Sequence, residues 1–333
     1  GFDTDTRALI TAVKEAVDNA LDACEEARIL PTITINISRH DAKRDIILLE
    51  VQDNGPGIPM KSLENVFGKL LYGSRFHVIR QSRGQQGIGI TGVVMYGQLT
   101  TGKPSRIISK IATEETAVQV NIGIDTQKNK ALKTKQERIT WTDEDGELIE
   151  HGVRVITKMK AKYQRGRQSV YQYLRMTSIV NPHAEISFTD PEGERTIFTR
   201  VTEKLPRIVD AIKPHPSGMH LGQLQRMLKS SDERKLTSFL RHNFSGVSQR
   251  AAKELIAAAE LEEGSKPKLV KPDAAQALLE AMNGKRNGSR GKPVKLLPPP
   301  TNCLSPIEEM LIKKGLSKTI DSRFIATLTR PPV

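Results

Sequence analysis

The sequence predicts an α+β fold, with a two-layer α/β sandwich over residues 1–205, an all-helical segment after it, and the opening of a further domain at the C-terminal end. Three observations carry this. One amphipathic helix opens the chain, a series of β-branched segments bounded by turn residues follows, and the pattern becomes purely helical after Lys213-Pro214-His215-Pro216.

The opening helix is expected over residues 6–28, where Leu9, Val13, Ala16, Val17, Ala20 and Cys24 recur at helical spacing and form one buried stripe. Strands are expected at 32–38, 46–51, 106–111, 117–124, 153–159 and 185–189, and short helices at 60–72 and 87–96. In the second part, helices are expected at 221–228, 234–241 and 249–259. The span 264–295 holds eight Lys or Arg against Asp273 and Glu280, and residues 285–292 read as an exposed basic loop. Three prolines at 298–300 mark a linker. Ser305-Pro306-Ile307-Glu308 has the marks of a helix start, Ser as cap and Pro at the first helical position, with a stop expected at Gly315 and a strand at 323–329. The expected domains are therefore 1–205, 206–294 and 295–333, the last too short to bury a core of its own.

A chain of 333 residues suits two or three such domains, and 37% hydrophobic with 27% charged residues describes a globular protein. No apolar run approaches the roughly 18–20 residues that span a bilayer, and no basic-then-apolar leader opens the chain, so the cytoplasm is the expected compartment. Cys24 and Cys303 are the only cysteines, without C-x-x-C spacing, which indicates neither a disulfide framework nor a zinc site. A net charge of +13 favours a polyanionic partner such as DNA, because each phosphate contact releases counterions. The chain opens at Gly1 rather than at a methionine, so its natural start is expected upstream.

The candidate chemistry lies in three places. Glu15, Asn19 and Asp22 fall at i, i+4 and i+7 of the first helix, in a narrow arc opposite the apolar stripe. Asp53-Asn54-Gly55-Pro56-Gly57 follows a strand, and Gly84-Gln85-Gln86-Gly87-Ile88-Gly89 precedes a helix. Taken singly, these read as a solvated helix face, a surface turn and an ordinary glycine loop. No Gly-x-x-x-x-Gly-Lys-Ser/Thr motif occurs, so a P-loop is not the source of nucleotide binding. In combination, order and spacing, the three motifs resemble the GHKL ATPase superfamily over roughly the first 160 residues. That resemblance implies a Bergerat-type sandwich with an ATP site. Glu15 would be the general base, Asn19 the Mg²⁺ ligand, and Asp53 the acceptor for the adenine amino group. Gly55 and Gly57 would let the backbone approach the base. Gly84, Gln85, Gln86, Gly87, Ile88, Gly89, Ile90 and Thr91 would face the phosphates, with Ser74 and Arg75 in a segment closing over the nucleotide. Asp22 would only orient its neighbours. Where the superfamily reads Gly-Thr this chain has Gly152-Val153, which removes a hydroxyl from adenine recognition.

Within the superfamily, residues 12–24, 66–74, 83–90, 165–170 and 181–184 resemble the B subunits of topoisomerase VI, a type IIB DNA topoisomerase, and the resemblance covers essentially the whole chain. It implies a helix-two-turns-helix insert at about 213–285 and the start of a transducer domain from about 295. It also implies an ATP-gated clamp. Two B subunits dimerise on binding ATP, embrace DNA, and signal to a separate A subunit that cleaves a second duplex, in a heterotetramer of two A and two B chains. The basic span 264–295 is compatible with DNA phosphates or with a plain solvated loop. The family's N-terminal swapped segment and its transducer lysine would lie before Gly1 and beyond Val333, so this chain is expected to bind ATP but turn it over poorly. Two other readings stand beside this one. The first is another GHKL ATPase of gyrase or mismatch-repair type, and the second is a DNA-binding module with a vestigial nucleotide site.

Overall fold

The computed structural model describes residues 1–41, 45–72, 83, 87–284, 293–304 and 307–328. These residues fall into two compact units, and the second is Val209–Leu304. The first unit contains the described residues up to Ile208 together with residues 307–328. The stretch from 295 onward is thus divided, with 295–304 in the second unit and 307–328 in the first.

In the first unit, α1 (Asp5–Glu26) begins where Thr4 caps it, its hydroxyl accepting from the Arg7 N–H at 3.3 Å. The stripe foreseen from periodicity is buried, from Ala8 and Leu9 through Cys24. Strands β1 (Thr32–Asp41) and β2 (Ile46–Asp53) alternate, sending Ile33, Ile35, Ile37, Ile47, Leu49 and Val51 into the core shared with α1. Then come α2 (Met60–Gly68), α3 (Gly89–Thr101), β3 (Ser105–Lys110), β4 (Ala117–Asp125), β5 (Lys130–Ile139) and β6 (Gly152–Lys160). The unit's remaining elements before residue 209 are α4 (Val170–Val180), β7 (Glu185–Thr189) and β8 (Arg195–Phe198). The eight strands form one sheet in the order β5-β4-β3-β6-β2-β1-β7-β8, antiparallel except where β1 runs parallel to β7. The four helices α1 to α4 contact one another and the sheet, giving the expected two layers. In register, Asp53 at the end of β2 lies between Ile33 of β1 and Val153 of β6, in the middle of the sheet.

Among its described residues the second unit carries helices and no strand of the sheet. Its helices α5 (Leu221–Ser230), α6 (Leu236–Asn243), α7 (Gln249–Ala258) and α8 (Pro272–Met282) surround a core that includes Leu224, Phe239, Leu240, Leu255 and Leu278. Phe239 and Phe244 meet edge to face at 5.8 Å.

Several expectations need correction. The helix expected over 60–72 ends at Gly68, because Lys69 turns extended and Leu71 takes a φ of 65°. The helix expected to end at 96 continues to Thr101, since Gly97 lets α3 lie against Thr157 and Lys158 of β6. Gly315 does not stop the last helix, α9 (Glu309–Thr319); a Cβ there would stand 3.1 Å from the Ile179 carbonyl, so the glycine serves close approach to α4. Ser305 and Pro306, expected to begin it, lie outside the described residues. Residues 323–328 form no strand, having no neighbour to pair with in the sheet. Strand β5 escapes the sequence pattern because it is a mostly exposed edge strand rich in lysine.

Candidate active site

The site grows from one face of α1. The buried stripe fixes this helix on the sheet, and Glu15, Asn19 and Asp22 are left on its opposite face. The Glu15 carboxylate, about a quarter exposed, points at the first residue of α3. A Cβ on Gly89 would fall 2.1 Å from Glu15 Oε2. Lys14 Nζ stands 3.6 Å from Glu15 Oε1 but 2.7 Å from Asp18 Oδ2, so its main partner is Asp18. One turn on, Asn19 is exposed and its amide makes no hydrogen bond among the described residues.

At its start α3 has no side-chain cap on Ile88. The first N–H returned into the helix is that of Gly92, to the Ile88 carbonyl at 2.7 Å. The N–H groups of Gly89, Ile90 and Thr91 are the orphan donors of an α-helix start, aligned with its positive dipole end. Gly87 takes a φ of 65°, and its carbonyl accepts from Leu71 N–H at 2.9 Å. The Thr91 hydroxyl is turned away, donating to the Val66 carbonyl at 3.2 Å, so only its backbone faces the site. Ser74, Arg75, Gly84, Gln85 and Gln86 lie outside the described residues.

Asp53 is a half-buried residue whose Oδ1 accepts from the backbone N–H of Gly55 at 2.8 Å and of Val153 at 3.3 Å. Its Oδ2 has no partner among the described residues. Burial raises the Asp53 carboxyl to about 6, against the lowering effect of those two N–H bonds and of nearby His151. The turn behind it is held at many points. Asn54 Oδ1 accepts from Thr32 N–H at 2.8 Å, Asn54 Nδ2 donates to the Leu30 carbonyl at 3.1 Å, and His151 Nδ1 lies 2.8 Å from the Gly55 carbonyl. Ser109 Oγ accepts from Ile58 N–H at 2.7 Å. Gly57 has a φ of 74° and a Cβ there would lie 1.9 Å from the Lys110 carbonyl oxygen, so no side chain fits. Gly55 sits against α1, its would-be Cβ 3.5 Å from Cys24 Sγ. From Glu15 to Cys24 the helix rises about 13 Å. The helix start of α3 and the Asp53 turn therefore face the same helix at two separated levels.

The sequence profile of the histidine kinase-, DNA gyrase B- and HSP90-like ATPases matches residues 4–201. The chain belongs to this family. Its sheet and the helices on it are those of a GHKL-type ATPase fold. The whole chain is also similar to the B subunit of type 2 DNA topoisomerase 6 from Methanococcoides burtonii, at 47% identity over 51% of that protein. The corresponding proteins of Archaeoglobus fulgidus and Thermococcus sibiricus are 45% and 37% identical, with 52% and 64% of their lengths covered. The chain spans about half the length of the first two relatives and less than two thirds of the third.

Against the GHKL pattern, the residue at 153 changes meaning. Val153 supplies no hydroxyl, yet its backbone N–H reaches Asp53, so the carboxylate keeps a second donor. Two supports of the Asp53 turn, Asn54 and His151, were not foreseen as site residues. Gly152, beside Val153, is a third constraint on it. With a φ of 141° and a would-be Cβ 2.2 Å from the Asp53 carbonyl oxygen, it admits no other residue without moving the Asp53 turn. At the other end, Gly89→Ala is expected to leave stability within about 1 kcal/mol, because only the flexible end of Glu15 must yield. In an ATPase site built this way, displacing that carboxylate should still cut ATP turnover roughly tenfold or more, read in a chain of the relatives' full length. Paired melting and turnover measurements test this, and unchanged turnover would sink it.

Proposed function

We propose that the first unit binds ATP with Mg²⁺ and hydrolyses it, and that the chain serves as the ATP-binding part of the B subunit of a type IIB DNA topoisomerase. The observation that carries the ATP reading is the free Oδ2 of half-buried Asp53, set about 13 Å along α1 from a carboxylate aimed at an uncapped helix start. That spacing separates a base-recognising acceptor from a phosphate-binding end. Asp53 Oδ2 accepts the adenine amino hydrogen, which a guanine does not offer at that place. The N–H groups of Gly89, Ile90 and Thr91 hold phosphate oxygens through the helix dipole. Glu15, next to them, orients the attacking water and takes its proton. The unpartnered Asn19 amide oxygen fits a hard cation, one turn from Glu15. Mg²⁺ held there would supply neutralisation of the charge on the phosphates. The family resemblance assigns further phosphate-binding roles to Gly84, Gln85 and Gln86 and a closing role to Ser74 and Arg75.

The curated relatives' name supports the wider reading, as does the all-helical second unit at the place of the helix-two-turns-helix insert. In that reading residues 295–333 begin the transducer. ATP binding dimerises two B subunits around DNA, while a separate A subunit performs cleavage, in the cytoplasm or on the nucleoid. The test is co-purification of a chain of the relatives' full length with a candidate A subunit, followed by DNA relaxation or decatenation. ATP-dependent strand passage is expected. ATP hydrolysis without strand passage in the assembled complex would instead favour a gyrase-type or mismatch-repair-type ATPase.

A further inference from the structure

Arg83 stands immediately before Gly84 in the chain, and the mechanism above gives it no role. It is nevertheless the most heavily bonded side chain near the site among the described residues. Its Nη1 donates to Asp22 Oδ1 at 2.7 Å and to Glu25 Oε2 at 2.9 Å. Its Nη2 donates to Glu25 Oε1 at 2.8 Å and to Asn181 Oδ1 at 2.5 Å. Its own backbone N–H donates to Asp22 Oδ2 at 3.1 Å. One carboxylate, that of Asp22, therefore fixes both the side chain and the main chain of the same residue. Glu25 is itself braced by His183 Nε2 at 2.8 Å, and Asn181 is braced by donating to the Thr177 carbonyl at 2.8 Å.

The guanidinium is about three-quarters buried, and Asp22, Glu25 and His183 are more enclosed still. Burial alone would push the Glu25 carboxyl up, but the bonds from His183 and Arg83 outweigh it and hold the group below its ordinary range. A planar, bidentate arginine bound on three sides has one position, which a surface ion pair does not. Asp22 and Glu25 lie on α1, the helix that carries Glu15 and Asn19, whereas Asn181 caps the C-terminus of α4. At the far side of the glycine segment, the Gly87 carbonyl is held by Leu71 N–H. Arg83 and Gly87 are thus each held in place, one on either side of residues 84–86.

We infer that Arg83, clasped by Asp22, Glu25 and Asn181, is a positioning residue that ties the chain ahead of α3 to the helix carrying Glu15 and Asn19, and thereby tunes affinity for the phosphates rather than for the nucleoside. This rests on the ATP-site reading above. A residue important only for folding would weaken ATP and adenosine together. A positioning residue at the phosphate end should separate them, since Asp53 holds the base independently.

The test is titration of the chain with ATP·Mg²⁺ and, separately, with adenosine, for wild type, Arg83→Gln and Arg83→Lys, with melting curves for each. Arg83→Gln is expected to weaken ATP by at least about tenfold while adenosine stays within about twofold, with partial recovery of ATP binding in Arg83→Lys. If Arg83→Gln does not fold, Arg83→Lys, which keeps the charge but loses the bidentate contact, is judged by the same split. Wild-type ATP affinity in the variants, or equal losses for both ligands, would overturn the inference. A failure of the underlying reading looks different, because the wild type itself would then bind neither ligand.

Discussion

Replacing Asp53 by alanine is expected to weaken ATP binding by at least about a hundredfold, or about 3 kcal/mol. Two losses combine. The proposed acceptor for the adenine amino group disappears, and the N–H groups of Gly55 and Val153 lose their shared partner. Asp53→Asn separates the two, because its amide oxygen can still accept from those N–H groups while its NH₂ replaces Oδ2 with a donor facing a donor. That variant should keep the fold and still lose adenine. Protonation offers a milder version of the same change. Burial raises the Asp53 carboxyl to about 6, so the folded chain holds this proton more tightly than the unfolded chain does. The sign follows directly. Asp53 contributes most to stability when protonated, the contribution declines as pH rises from about 4 to about 6, and the remaining penalty is constant above that. Ligand binding runs the opposite way, because the charged form is the better acceptor. Adenosine affinity should fall as pH drops through about 6, and Asp53→Asn should show no such dependence. Adenosine is the ligand to use, since it has no phosphate of its own to titrate. A wild-type affinity that stays flat from about pH 8 to about pH 5 would refute the role given to Asp53.

Much of this site was legible in the sequence because its parts obey short periods. The stripe from Leu9 to Cys24 fixes which face of α1 is buried, and hence that Glu15, Asn19 and Asp22 face the other way. A run of Ile and Val broken by Asp-Asn-Gly-Pro-Gly fixes Asp53 at a strand end, where β2 does stop. What stayed hidden depends on register and on long-range pairing. The Arg83–Asp22 bond joins residues 61 apart, and nothing local to either marks the other. At position 153 the sequence shows a missing hydroxyl, whereas the backbone N–H that reaches Asp53 is visible only once β2 and β6 are aligned. Gly315 illustrates the opposite error. Glycine after an apolar periodic run is a good stop signal, but here the residue is needed for contact with Ile179, and α9 continues past it. Strand β5 failed for a third reason. Its lysines protect an open sheet edge, so it lacks the apolar alternation by which strands are found.

Glu15→Gln is expected to lower ATP turnover by about 10²–10⁴ while ATP affinity changes by no more than about threefold. The substitution keeps the shape of the side chain beside Gly89, so the orphan N–H groups at the start of α3 remain available to phosphate. What it removes is the capacity to take a proton from water. Other carboxylates on this side of α1 cannot readily substitute. Asp22 and Glu25 hold Arg83, and Asp18 is taken by Lys14 Nζ at 2.7 Å and by the Tyr173 hydroxyl at 3.3 Å. Among the described residues Glu15 has only the longer 3.6 Å contact to Lys14, and it alone of the four lies against the α3 helix start. Affinity can be measured on this chain. Turnover belongs in a chain of the relatives' full length, where residues outside the present sequence are also in place. Hydrolysis at the wild-type rate in Glu15→Gln would remove Glu15 as the base. A matching loss of ATP binding would instead mean that its charge organises the Asn19 cation site rather than the attacking water.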